Sequence, residues 1–217
     1  MDNRTFWNER YESLPGLGSG PGSRAYAAWL KQRLIEATIA QHGVRSVLDI
    51  GCGDMYWMPA QPGAGVAYTG VDISDVIVAR NRERFPRAEF VLHDIVAAPL
   101  QRSADLVVCF DVLIHQLDAG QFQAALRNVL ATIRTTGLIS YITPDGAGAP
   151  PPPGTPAQVL RDEARLVEFL ETAEFPRAPT AFHGALPEHI AQLLPQAAVG
   201  IAGHYPAQTI YEITLRR

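Results

Sequence analysis

The chemistry-bearing residues of this chain centre on Val47-Leu48-Asp49-Ile50-Gly51-Cys52-Gly53-Asp54, where an apolar run meets two acids and two closely spaced glycines. Such a run reads as a strand ending in a tight turn, and in open α/β sheets ligands sit beyond the carboxyl ends of the strands. Glycine there lets the backbone approach a ligand with no Cβ in the way. A dinucleotide fingerprint needs a third glycine where Tyr56 stands. Asp49 and Asp54 on one turn would also repel a pyrophosphate. They suit a ligand with a cationic amino-acid end.

Two further acids extend the pattern. Asp72 closes the run Tyr68–Asp72, about 20 residues after Gly51, where a carboxylate can grip ribose hydroxyls with both oxygens. Asp94 follows Glu89–Leu92 and is placed to accept from an adenine amino group, with Ile73 and Ile95 against the two faces of the ring. Taken alone, each acid is a solvated loop residue or a helix N-cap, and Asp75 keeps that reading. Asp49, Asp72 and Asp94 together, at three successive strand ends, point to one shared ligand. S-adenosylmethionine carries an ammonium and a sulfonium and no phosphate, and it fits.

Methyl transfer from a sulfonium is an in-line displacement from an activated donor, so the protein mainly aligns the nucleophile and excludes water. A base is needed only where the acceptor must lose a proton. The acceptor side is expected over Phe110-Asp111-Val112-Leu113-Ile114-His115-Gln116, with Phe110 against the cofactor. His115 is the first candidate base, because its intrinsic pKa lies near neutrality. His183, in Phe182-His183-Gly184, is the second. Either is otherwise a structural histidine. Asp111 either binds substrate or caps the next helix. Tyr141, Thr143 and Asp145 near the fifth strand's end are further candidates, as are His189, His204 and Tyr205. Trp7 and Tyr11 are costly to leave exposed and are expected to face substrate. The loop Gly18-Ser19-Gly20-Pro21-Gly22-Ser23, followed by Arg24, is expected to fold its amides over an anionic group, with Ser23 and Arg24 as donors.

The elements that must position these residues alternate. Phe6, Trp7 and Tyr11 share a helical face, the stretch 14–23 is neither helix nor strand, and Arg24–Gln41 is helical with Gly43 as its stop. Strands are predicted at Ser46–Ile50, Tyr68–Asp72, Glu89–Leu92, Asp105–Phe110 and Leu138–Thr143, with helices at Asp75–Arg84 and Gln121–Ile133. Residues 146–156 are a Pro/Gly-rich loop, Gln158–Glu171 is helical, and Pro187–Leu194 is a short helix. The last two strands, Ala197–Gly203 and Gln208–Leu215, stand too close in sequence for a helical crossover and should pair antiparallel. The expectation is one α/β domain over 1–217: a doubly wound, mostly parallel seven-stranded sheet with an antiparallel C-terminal strand. Residues 1–42 would form a helical lid on a Rossmann-like core at 43–217.

The segments VLDIGCGD, YTGVDIS, FVLHDI and DLVVCFDVLIHQ resemble the successive motifs of class I S-adenosylmethionine-dependent methyltransferases. The chain departs from that pattern at Met55, where many members have a third glycine. GCGDMYWM with the upstream SGPGS is similar to a bacterial subgroup. The resemblance implies a Rossmann-like methyltransferase using S-adenosylmethionine.

With 47% apolar and 18% charged residues and a net charge of −4, the composition is globular and shows no basic face for nucleic acid. Two cysteines make no disulfide framework, and no Cys/His cluster suggests a metal. No apolar run reaches membrane-spanning length, which sets the expectation of a cytoplasmic protein with no membrane partner. The leading expectation is methylation of an oxygen or nitrogen of a small molecule, a sugar or a secondary metabolite. The alternatives are a methyltransferase of RNA or protein, a non-catalytic S-adenosylmethionine-binding protein, and a nucleotide-dependent oxidoreductase, against which the missing third glycine counts.

Overall fold

A computed structural model describes residues 2–13, 18–58, 65–143, 151–172, 177–205 and 207–216. Asp145, Pro206 and the first part of the predicted Pro/Gly-rich loop lie outside them, as do residues 14–17 of the N-terminal loop.

Seven strands form one sheet: β1 (Ser46–Ile50), β2 (Ala67–Asp72), β3 (Glu89–Leu92), β4 (Ala104–Cys109), β5 (Ile133–Ile142), β6 (Ala197–Tyr205) and β7 (Gln208–Leu215). Their order across the sheet is β3-β2-β1-β4-β5-β7-β6. The first five run parallel, and β7 is antiparallel to both β5 and β6. The chain steps from β3 on one side of β1 to β4 on the other, the reversal at which open α/β sheets form a crevice.

Six helices flank the sheet: α1 (Asn3–Ser13), α2 (Ala25–His42), α3 (Asp75–Arg84), α4 (Ala119–Leu130), α5 (Ala157–Thr172) and α6 (Leu186–Leu193). Local chemistry sets their ends. Ser74 caps α3 by accepting from the Ile77 amide, and Asp118 caps α4 by accepting from Gln121. Gly43, at φ 60°, closes α2 in the left-handed conformation. One face of the sheet buries Leu48, Ile50 and Val107 against α4 residues such as Phe122 and Leu126. The other buries Val47, Leu106 and Val108 against Tyr26, Leu30 and Ile35 of α2.

Two local expectations are corrected. Strand β5 begins at Ile133, well before Leu138, because Ile133-Arg134-Thr135-Thr136 is extended beside β4. The run looked polar, but Arg134 pays for its place at the surface by pairing with Asp105 at 2.8 Å. Within the N-terminal loop, Pro21–Ser23 makes one 3-10 turn, with proline's fixed φ at its start.

Candidate functional site

The tips of β1, β2, β3 and β4 border a cavity of about 730 Å³. Strand order lays its chemistry out in sequence: Asp94 and Ile95 beyond β3, Asp72 and Ile73 at β2, Gly51 and Gly53 beyond β1, and Phe110 and Asp111 beyond β4. Helix α1 supplies the wall opposite, with Trp7 and Tyr11, and Ser23 joins from the 3-10 turn.

Asp72 is fixed from behind. One carboxylate oxygen accepts from the Ser74 amide at 2.9 Å and the other from the Gly53 amide at 2.9 Å. Its plane is thus set, and each oxygen keeps a lone pair for a diol. Burial pushes its carboxyl up to about 6, against the lowering effect of those amide bonds. Gly53 holds φ 55°, and a Cβ there would meet Ser19 Oγ at 2.4 Å, so only glycine allows the N-terminal loop to close over this turn. Asp94 accepts from the Val96 amide at 2.9 Å and faces the cavity.

A second cavity, of about 530 Å³, lies between the 3-10 turn, the tips of β4 and β5, and α5. Trp7, Ser19, Asp111 and His115 line both cavities and mark where they meet. His115 Nδ1 lies 2.8 Å from the Pro179 carbonyl oxygen. A carbonyl only accepts, so Nδ1 carries the proton and Nε2 is the basic nitrogen. Burial lowers the His115 pKa, partly offset by that hydrogen bond, so the ring is neutral at pH 7. The Trp7 ring packs on it at 5.3 Å.

Asp111 is the most heavily bonded acid here. Lys31 Nζ donates to Oδ2 at 2.5 Å, and Tyr205 Oη and Gln208 Nε2 each donate to Oδ1 at 2.5 Å. Burial alone would raise its carboxyl, but the Lys31 ammonium and these hydrogen bonds hold it below the usual carboxylate range. It sits at φ 59°, a costly conformation for a non-glycine residue. Lys31 also donates to the Gly22 carbonyl at 2.5 Å, tying the N-terminal loop to the cluster. A Cβ on Gly22 would meet Asp111 Oδ2 at 2.7 Å, so glycine is required for that approach.

Seven expected site residues stand elsewhere. Asp49 is buried below the glycine turn, accepts from Tyr68 Oη at 2.7 Å and does not line the cavity. Burial, with Asp72 nearby, pushes its carboxyl to about 7. Asp54 pairs with Arg24 at 2.6 Å, and Arg24 stacks over Tyr56 at 4.1 Å; neither residue lines either cavity. The anion met by the glycine-rich loop is therefore the protein's own Asp54, which accepts from the Ser19 amide at 3.4 Å. His183 Nε2 donates to the Gln116 carbonyl at 2.6 Å, and its ring packs on Phe122 away from both cavities. Tyr141 is buried with its hydroxyl accepting from the His183 amide at 2.8 Å. His189 bonds Gln123 and His204 bonds Thr209, as structural histidines do.

Lys31 was missed. It lies between Ala27 and Ile35 on the buried stripe of α2, and a lysine at such a position signals an internal anion. Trp57 lines the first cavity in edge contact with Phe110 and, like Met58, is part of the buried core.

The sheet and the crevice at its strand tips define a Rossmann-like methyltransferase fold. Residues 47–137 match a family model described as a methyltransferase domain. A probable S-adenosylmethionine-dependent methyltransferase of Mycolicibacterium smegmatis is 33% identical over 181 residues, 79% of this chain and 69% of the relative. The chain belongs to the S-adenosylmethionine-dependent methyltransferases, and S-adenosylmethionine is its cofactor. Among solved structures, the N-methyltransferase NodS of Bradyrhizobium japonicum aligns with TM-score 0.63 at 12% identity, over 97% of this chain and 99% of that one. Magnesium protoporphyrin IX methyltransferase of Synechocystis aligns with TM-score 0.60 at 16% identity, over 100% and 98%. At those identities the two share its fold. Among the described residues, no helix is long and apolar enough to cross a membrane.

Proposed function

We propose that this methyltransferase moves the methyl group of S-adenosylmethionine to an oxygen or nitrogen of a small molecule, in the cytoplasm, with the first cavity holding the donor and the second the acceptor. The observation that carries this reading is the junction of the two cavities at His115, whose Nδ1 hydrogen bond to Pro179 O presents Nε2 as a base. When bound, the cofactor supplies an activated sulfonium methyl.

Asp72 grips the ribose diol with its two pre-fixed oxygens. Asp94 accepts from the adenine amino group, and Ile73 and Ile95 pack on the ring. Gly51, Gly53 and Phe110 shape the methionine end. Helix α1 acts as a lid that excludes water: Asn8 bonds Ser74 and Asp75 at 2.5 and 2.7 Å, and Arg80 donates to the Tyr11 carbonyl at 2.8 Å. Trp7 and Tyr11 border the acceptor. His115 Nε2 takes the proton of a hydroxyl acceptor as the new bond forms, or that of an ammonium acceptor beforehand, so that its nitrogen has a lone pair to attack with. Asp111, already saturated by three donors, holds Lys31 and the Gly22 carbonyl in place and is not itself a base.

Tritium-labelled S-adenosylmethionine offered with pools of phenols, carboxylic acids and amines, and separately with RNA and protein, tests the reading. Label in the small-molecule fraction is expected. Label confined to precipitable RNA or protein would overturn it.

A further inference from the structure

Helix α5 is amphipathic yet only half-buries its apolar stripe, with Val159 packed against the core beneath α2. Val159, Glu163, Leu166, Val167 and Leu170 recur at the three-and-four spacing that normally faces a core, but no residue of the helix is buried and Val167 is 46% exposed. The stripe instead forms one wall of the second cavity, with Leu166, Val167 and Leu170 sharing that space with Ile114 and Ile142. A volume of about 530 Å³ suits a small organic molecule rather than a flat protein face.

The charges on the same wall have a direction. Both of its anions are engaged inside the protein: Glu163 accepts from the Tyr26 amide at 3.1 Å, and Asp111 is held by Lys31, Tyr205 and Gln208. Two guanidinium groups line the cavity as well: Arg10, buried and stacked over Trp7 at 5.2 Å, and the exposed Arg177. We infer that this cavity binds an apolar organic acid, with the hydrocarbon body under α5 and the acidic group at Arg177. A sugar fits the α5 half of the cavity poorly, because hydroxyls placed against Leu166, Val167, Leu170, Ile114 and Ile142 find no hydrogen-bond partner on that wall. That this molecule is the methyl acceptor rests on the function proposed above; that the cavity binds it does not.

The probe is 1-anilinonaphthalene-8-sulfonate, an apolar aromatic acid that fluoresces on transfer from water, competed with decanoate, decanol and glucose on the full chain. Saturable binding at one site is expected, reversed by decanoate, reversed less well by decanol and not by glucose. Leu166→Gln should weaken decanoate roughly tenfold, the loss of one buried apolar side-chain contact. Arg177→Gln should weaken decanoate while leaving decanol unchanged. Because no residue of α5 is fully buried and Arg177 is exposed, both variants should melt with the wild type, which separates lost binding from lost folding.

Absence of saturable binding, displacement by glucose as readily as by decanoate, or variants that bind decanoate like the wild type would each overturn the inference. So would an α5 defect that appears in self-association or in binding to phosphatidylcholine vesicles in place of decanoate competition. Calorimetric titration with S-adenosylhomocysteine keeps the two readings apart. Normal titration with failed decanoate binding sinks this inference alone, and failed titration with intact decanoate binding sinks the donor assignment alone.

Discussion

Lys31 Nζ and Asp111 Oδ2 lie 2.5 Å apart, with the lysine side chain wholly removed from water and the aspartate 16% exposed. This pair joins α2 to the tip of β4 and, through the Gly22 carbonyl, to the loop that separates the two cavities. Removing one partner of a buried ion pair leaves the other charge uncompensated. Lys31→Met is expected to cost about 3–5 kcal/mol in denaturant unfolding. The double variant Lys31→Met/Asp111→Asn should recover part of that loss. A single variant as stable as the wild type would show that the pair contributes nothing net.

Asp72 makes donor affinity depend on pH. In the proposed donor site the ionised carboxylate accepts the ribose hydroxyls, and burial raises this group's pKa to about 6. Calorimetric affinity for S-adenosylhomocysteine should be flat above about pH 7 and fall by up to about tenfold per pH unit below 6. Asp72→Asn should bind weakly at every pH; a variant with the wild-type profile would remove Asp72 from the ribose site.

The raised carboxyls also act on stability. The unfolded reference for Asp49 and Asp72 is 3.8, while the folded values are about 7 and about 6. The folded chain therefore binds more protons over that interval, and this contribution to stability is present below pH 4 and lost as pH rises to about 7. Asp49→Asn removes one buried titrating group, so its stability should decline less than the wild type's between pH 4 and 7. Equal slopes would contradict the assignment.

His115 and His183 separate by site. As the proposed base, His115 acts through its neutral ring, and burial lowers its pKa, so turnover should fall only as pH drops below the ordinary histidine range. His115→Ala should reduce kcat by about 10²–10⁴-fold with little change in cofactor affinity. His183→Ala should lower Tm, because it removes the 2.6 Å bond to Gln116 O, and should leave the pH profile of kcat in place. The reverse pattern would exchange their roles.

The Arg24–Asp54 pair latches the N-terminal loop to the glycine turn, with Ser19 Oγ accepting from the Asp54 amide at 2.8 Å. Asp54→Ala should raise amide hydrogen exchange across 18–24 and α1 while sparing β1 and β4. Unchanged protection in α1 would mean the helix is held without this latch, by α3 and by the packing of Trp7 on His115.

Much of this architecture is written locally. An apolar run before Gly51 and Gly53 cannot continue as a helix, Ser74 and Gly43 mark helix ends, and acids at β2 and β3 follow from strand length alone. Asp72, Asp94, Ile73, Ile95 and His115 line the cavity where their spacing placed them, because each sits next in sequence to the element that aims it. The start of β5 was hidden because Arg134 and the threonines beside it carry no apolar alternation, and their pairing with β4 is a long-range event.

What sequence alone determined is the alternating α/β order, the crevice at the strand tips and the cofactor class, since period, turn chemistry and spacing act over a few residues. Only the folded chain decided which charges meet. Asp49 went to Tyr68, Asp54 to Arg24, His183 to Gln116 and Asp111 to Lys31, 80 residues away. A carboxylate's partner is chosen by desolvation and distance in three dimensions, and neither quantity exists until the sheet has closed its neighbours around it.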